Sequence, residues 1–197
     1  QEAKKVRQNA SLISTAAQYG VPLATRMAEH YVITNVNFLG RRSLDDSAVL
    51  TAAEHFAARP EQSAQMSRLL AAWDLGLAGV ELKEIASATQ QNSSRTVWVP
   101  FGKHQGRESE VSLPFAFESS GTRGAFVLLS HLLQVLEIGG LAVIDEFEND
   151  LHPHMLEPIL DLFANPRTNP HDAQLIFTCH AVEVLNMVNK AQVTLVE

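Results

Sequence analysis

Leu141-Ala142-Val143-Ile144-Asp145-Glu146 decides the reading of this chain: four apolar residues run straight into two carboxylates. An apolar run this short, without helical spacing, predicts a strand buried on both faces of a sheet. Asp145 and Glu146 then stand where the strand leaves the sheet. In an open α/β sheet, ligands bind outside the carboxyl ends of the strands. Neighbouring residues on a strand point to opposite sides, so the two carboxylates are free to take different tasks. A strand that merely ends in acidic loop residues would show the same six letters. The flanking sequence has to separate the two readings.

Working outward, residues 125–136 carry Phe126, Leu128, Leu129, Leu132, Leu133 and Leu136 as one long apolar helix. Gly139-Gly140 closes it just before the strand. Ser119-Ser120-Gly121-Thr122 precedes the helix. On the other side, Asp150-Leu151-His152-Pro153 leads into a helix holding Met155, Leu156, Ile159, Leu160 and Phe163. Residues 174–178 form a second buried strand, ending at Cys179-His180, and a short helix over 181–188 and a last strand over 192–196 follow. Helix–strand–helix–strand–helix–strand predicts an α/β fold, a parallel sheet with crossover helices.

Before this block, residues 1–86 read as a mostly helical region. Helices are expected over 6–19, over 22–38, from Asp45 or Asp46 through Phe56, and from Pro60 through Trp73. Val80 to Ile85 alternates apolar and charged residues, the pattern of a half-buried strand. The Ser-, Thr-, Gln- and Asn-rich stretch 87–94 is a loop that separates this region from the block 87–197 that carries the chemistry. Residues 96–101 and 110–115 pair as an antiparallel hairpin around the turn 102–106.

Composition bounds the setting. The 197 residues are 46% hydrophobic, enough for a real core, and the formal net charge is −7. Phosphate affinity comes mainly from Lys and Arg, so an acidic chain is a poor general nucleic-acid binder, Arg41-Arg42 and Lys4-Lys5 being the local exceptions. The single cysteine, Cys179, permits no internal disulfide and fits a reducing, cytoplasmic setting. No stretch approaches the ~20 apolar residues of a membrane span, so no membrane partner is expected. The start lacks an initiator Met and any signal-peptide pattern, and the chain reads as a piece of a longer one.

Four features now stand in one order: Ser-Ser-Gly-Thr before a helix, the acidic strand end, the Asp150 loop, and His180 at the next strand end, 35 residues after Asp145. That order resembles the second half of an ABC-type ATPase domain over residues 117–197. It is most similar to the ABC-like, AAA-family ATPases of bacterial anti-phage defence: the Septu, retron-associated and overcoming-lysogenization-defect types. The resemblance implies a P-loop NTPase fold of ABC type, with a parallel sheet and flanking helices, preceded by the mostly helical region. It implies ATP hydrolysis at a dimer interface with Mg²⁺ as cofactor. The strand end matches the Walker B pattern, in which Asp145 holds the metal and Glu146 polarises the attacking water. Ser119, Ser120 and Gly121 match the signature turn, which contacts the γ-phosphate of ATP on the opposite subunit; Thr122 stands where Gln is usual and Glu118 where Leu is usual. Such a turn at a helix N-terminus presents N–H groups to an anion, although an ordinary capped helix reads the same way. Asp150 matches the D-loop that crosses the dimer interface, and His180 the histidine that hydrogen-bonds the γ-phosphate. The implied partners are a second copy or a higher oligomer and a nuclease or toxin effector, with nucleic acid reached through the complex. Two other functions stay open: a nucleotide-gated scaffold that restrains a partner with little turnover, and an SMC-like DNA-sensing ATPase.

No G-x-x-x-x-G-K-[ST] motif occurs; Gly102-Lys103 is followed by His104 and lacks the earlier glycine. The phosphate-binding loop is therefore expected upstream of Gln1. A metal cluster of His152, His154, His171 and His180 is a weaker alternative, lacking an H-E-x-x-H or comparable spacing. Cys179 reads as a small buried residue before it reads as a nucleophile.

Overall fold

In the computed structural model, residues 11–37, 40–41, 45–73, 76–87, 95–106, 109–149, 151 and 153–196 are described. The elements in order are α1 (Leu12–Gln18), α2 (Pro22–Glu29), β1 (Val32–Thr34), β2 (Val36–Asn37), β3 (Gly40–Arg41), α3 (Asp46–Ala57) and α4 (Pro60–Ala72). There follow β4 (Gly79–Ser87), β5 (Arg95–Gln105), β6 (Glu110–Pro114), α5 (Ser120–Ile138), β7 (Leu141–Ile144), α6 (Leu156–Ala164) and β8 (Gln174–Phe177).

The apolar run forms the expected strand, and it is the middle of a three-stranded parallel sheet ordered β1-β7-β8. Val32 lies opposite Leu141, and Leu141 opposite Gln174. Ala142 and Ile144 are buried on the face that meets the helices. On the other face Leu141 and Val143 are half-buried, while Val32 and Ile176 are 48% and 57% exposed. The expectation of equal burial on both faces is thus met on one side only.

β1 corrects the helix expected over 22–38. That helix ends at Glu29, with His30 already in extended geometry, and Val32-Ile33-Thr34 pairs with β7. Two β-branched residues and a β-branched Thr lose side-chain freedom in a helix and suit a pleated edge. Phe38 lies outside the described residues. β4, β5 and β6 form an antiparallel meander, and the expected hairpin is displaced: residues 102–105, expected as the turn, continue β5 and pair with β6, while residues 95–103 pair with β4.

α5 packs on the parallel sheet and on α3 and α4, which in turn lie against the meander. Nineteen residues long, it starts at Ser120 rather than 125 and ends at Ile138, capped by Gly139, whose left-handed φ of 73° a residue with a Cβ would adopt only under strain. Its buried positions include Phe126, Leu129, Leu132, Leu133 and Val135. Phe126 meets Phe56 of α3 and Phe115, with ring centroids 5.2 and 4.8 Å apart. Met66 and Leu70 of α4 are fully buried in the same core. Burial of side chains this size is worth about 1.5–3 kcal/mol each, so the core fixes the axis of α5 and with it the point where β7 begins.

The carboxyl-terminal part departs from expectation in two ways. The helix over 181–188 is a 3-10 turn, Val182–Asn186. The strand over 192–196 does not form: Lys190–Gln192 is another 3-10 turn, and Leu195 and Val196 are 83% and 92% exposed. Among the described residues no helix is long and apolar enough to cross a membrane.

Candidate functional site

Because β7 and β8 are parallel with Ile144 opposite Phe177, the segments that follow them emerge at the same sheet edge. Asp145-Glu146 follows one strand and Thr178-Cys179-His180 the other. The two segments are stitched together. Thr178 N donates to Ile144 O at 3.0 Å, and Phe147 N donates to Thr178 O at 3.0 Å. The Thr178 hydroxyl donates to Asp145 Oδ1 at 2.7 Å and accepts from Glu146 N at 2.8 Å.

Glu146 has a φ of 49°, a left-handed conformation that disfavours any side chain larger than hydrogen. Phe147 explains how the turn is held from below: it is buried, with its ring 4.9 Å from that of Phe177. Ile144 is anchored on one side of Glu146 and Phe147 on the other, so the backbone between them turns sharply. The Glu146 carboxylate accepts from Asn149 Nδ2 at 2.8 Å. It also borders a cavity of about 500 Å³ that runs between α3 and α5 under the end of β1.

His180 is carried by the next link. Its backbone N–H donates to Glu148 Oε1 at 2.8 Å, while Glu148 Oε2 is buried with no hydrogen-bond partner among the described residues. Burial alone would raise the Glu148 carboxyl, but the N–H donated by His180 and other favourable contacts outweigh it, and its pKa lies below the usual value. Cys179 is shifted the other way, upward, first by burial and then by the Glu148 carboxylate. A thiol held protonated is a poor nucleophile.

Asn35 was not singled out by the sequence. It leaves β1 beside Asp145, where Nδ2 donates to Asp145 O and Oδ1 accepts from Asp145 N, both at 2.8 Å. A lone Asn after Val-Ile-Thr gives no periodic signal. A polar residue leaving a strand adjacent to β7 would have flagged it, had β1 been read as a strand.

Ser119, Ser120, Gly121 and Thr122 form the cap and first turn of α5. Ser119 Oγ accepts from Thr122 N at 3.1 Å and shares a hydrogen bond with Thr122 Oγ1 at 2.8 Å. Thr122 is buried, whereas Ser119 and Ser120 are exposed. The turn is not gathered into the Asp145 group; its contacts run elsewhere. Arg123 reaches Asp46 of α3 at 3.3 Å. Glu118, whose side chain is only 8% exposed, accepts from His104 of β5 at 2.7 Å. Gly102 beneath it has no room for a Cβ, which would meet the Glu118 carboxylate and Leu77. Asp150 and His152 lie outside the described residues.

Among the described residues, no group of three His, Cys, Asp or Glu side chains is placed to hold a metal ion by itself. Asp145 fits the cation that the sequence resemblance implies. Mg²⁺ takes one or two carboxylates and fills its octahedron with waters and phosphate oxygens. The Thr178 hydroxyl on Oδ1 fixes the carboxylate without neutralising it.

A family model described as "AAA domain, putative AbiEii toxin, Type IV TA system" matches residues 2–186. No curated protein matches the chain. Among solved structures, the Smc head domain with an extended coiled coil, bound to the C-terminal domain of ScpA, from Pyrococcus furiosus, matches at a TM-score of 0.43 and 14% identity. The match covers 66% of this chain and 31% of that one, so the chain spans about a third of that structure.

Proposed function

The chain belongs to the AAA-domain family whose description names the putative AbiEii toxin of type IV toxin–antitoxin systems, and on that premise we propose that it supplies half of a composite ATP-hydrolysing site. The observation that carries this reading is the strand-exit cluster: Asp145 and Glu146 leave β7 as His180 leaves the neighbouring β8, locked to one another by Thr178 and Glu148. Mg²⁺, when bound with ATP, would offset charge on the phosphate oxygens. Asp145 holds that cation. Glu146 accepts a hydrogen bond from the water that attacks the γ-phosphorus and orients it in line. His180 donates to the γ-phosphate and braces it. Phosphoryl transfer needs little covalent chemistry from protein, so positioning and charge carry the rate.

The phosphate-cradling loop is not within these 197 residues, so hydrolysis is proposed for the protein in which this chain is joined to one. The second half of the site comes from another copy. Ser120 and Gly121, at the N-terminal end of α5, face a partner's nucleotide with backbone N–H groups and the positive end of a 19-residue helix. Exposed apolar residues flank both halves: Phe117, 78% exposed, precedes the turn, and Val182 and Leu185, 70% and 52% exposed, follow His180. Such side chains gain most by meeting each other across a dimer. The sequence resemblance carries a finer reading, in which nucleotide state gates a nuclease or toxin effector in anti-phage defence.

Equilibrium dialysis with ATP and Mg²⁺, alongside a phosphate-release assay on the full-length protein, tests the reading. ATP-dependent self-association with hydrolysis is expected. Neither binding nor hydrolysis would overturn it.

A further inference from the structure

We propose that Thr178 is a positioning residue: its hydroxyl holds Asp145 and Glu146 in their working geometry, which rests on the roles given to those two carboxylates above. One hydroxyl has one proton and two lone pairs. Here the proton goes to Asp145 Oδ1 at 2.7 Å and a lone pair takes Glu146 N–H at 2.8 Å. The backbone of the same residue donates to Ile144 O and accepts from Phe147 N, both at 3.0 Å. Three polar groups of Thr178 thus make four hydrogen bonds to four consecutive residues, 144 to 147.

That grip falls where the chain needs it. Glu146 is left-handed, with φ 49°, and it carries a full side chain. Strained residues of this kind persist only when their surroundings over-determine them. The two backbone bonds bracket the turn, but only the hydroxyl reaches the Glu146 amide itself. It is also the only one of the three groups that touches a carboxylate. Removing it frees the Asp145 carboxylate to rotate and lets Glu146 relax toward ordinary φ, which swings its carboxylate away from the water it orients.

Thr178 is exposed and lies past the end of β8. Thr178→Val therefore keeps the β-branched shape and both backbone bonds while deleting the hydroxyl. In the full-length protein it is expected to bind ATP as before, while kcat falls about 10- to 100-fold, the range found when the support of a metal ligand is removed. The Mg²⁺ concentration for half-maximal activity should rise. Thr178→Ser, which restores the hydroxyl, should recover most of the loss; a merely structural role would be rescued no better by Ser than by Val and would leave the Mg²⁺ requirement unmoved. Glu146→Gln is assayed in parallel. If Glu146→Gln is inactive and Thr178→Val has wild-type kcat and Mg²⁺ dependence, the positioning role fails while the site reading stands.

A second measurement needs no turnover. Thermal melting of Thr178→Val, Glu146→Gly and the double variant forms a cycle. Glycine adopts the left-handed turn unaided, so the melting-temperature loss caused by Thr178→Val should shrink in the Glu146→Gly background. Strictly additive shifts would overturn the proposal even if the site reading itself had failed.

Discussion

Replacing Glu146 by Gly and by Ala asks whether the left-handed turn is under strain. A residue with a Cβ at φ 49° pays about 1–2 kcal/mol. Glycine avoids that cost but loses about 0.5–1 kcal/mol more chain entropy on folding. Both variants lose the Asn149 hydrogen bond to the Glu146 carboxylate equally. The balance favours Gly over Ala by about 0.5–1 kcal/mol, the reverse of their usual order. For a domain of this size 1 kcal/mol moves Tm by about 2–4 °C, so Glu146→Gly should melt about 1–4 °C above Glu146→Ala by differential scanning calorimetry. Both should be catalytically impaired in the full-length protein. An Ala variant that melts at or above the Gly variant would refute the strain, and with it the argument that the turn is held for function.

Other consequences can be checked as directly. Gly102→Ala drives a Cβ into the Glu118 carboxylate and Leu77 and should cost about 1–3 kcal/mol in a urea denaturation. Phe117→Asp should leave the isolated chain's melting temperature nearly unchanged, because Phe117 is 78% exposed, yet weaken ATP-dependent self-association about tenfold or more by analytical ultracentrifugation. Stability should fall on acidification in two stages. Burial lowers the His55 pKa despite its hydrogen bond to Gln62, so the neutral imidazole contributes stability above the unfolded value near pH ~6.5 that drains away as pH drops below it. Glu148 and Asp45 also sit below their usual values, so their contribution is present above pH ~4–4.5 and is lost only as pH falls through the lowered folded values. Melting curves from pH 7.5 to 3 should show both stages, with the first absent in His55→Gln.

How much of this was legible in the sequence depended on whether the signal was local. β7 announced itself because four apolar residues between Gly140 and Asp145 leave little but a buried strand. α5 did so because its leucines repeat at helical spacing, and α3 because Asp45 caps it in the expected way, accepting from Ala48 N. β1 was hidden because Leu23, Met27, Tyr31 and Thr34 also fit a helical face; three residues become a strand only through hydrogen bonding to β7, which lies more than 100 residues away. The reverse happened at 192–196, where the expected strand finds no partner among the described residues, and an unpaired strand has no stability of its own. That Asp145-Glu146 and His180 follow adjacent strands was readable from the apolar runs before them. Asn35 and Thr178 were not, since their significance lies in hydrogen bonds across strands. Glu118 looked like a mere departure from the signature pattern until His104 was found 2.7 Å away on β5.

The central claim is that Glu146 serves the attacking water at an ATP site shared by two copies of the chain. Glu146→Gln in the full-length protein tests it in one experiment: phosphate release and sedimentation, both with ATP and Mg²⁺. The account predicts a kcat at least ~100-fold lower together with an ATP-bound dimer more persistent than that of the wild type. Hydrolysis at the wild-type rate, or loss of the ATP-bound dimer in a folded variant, would contradict it.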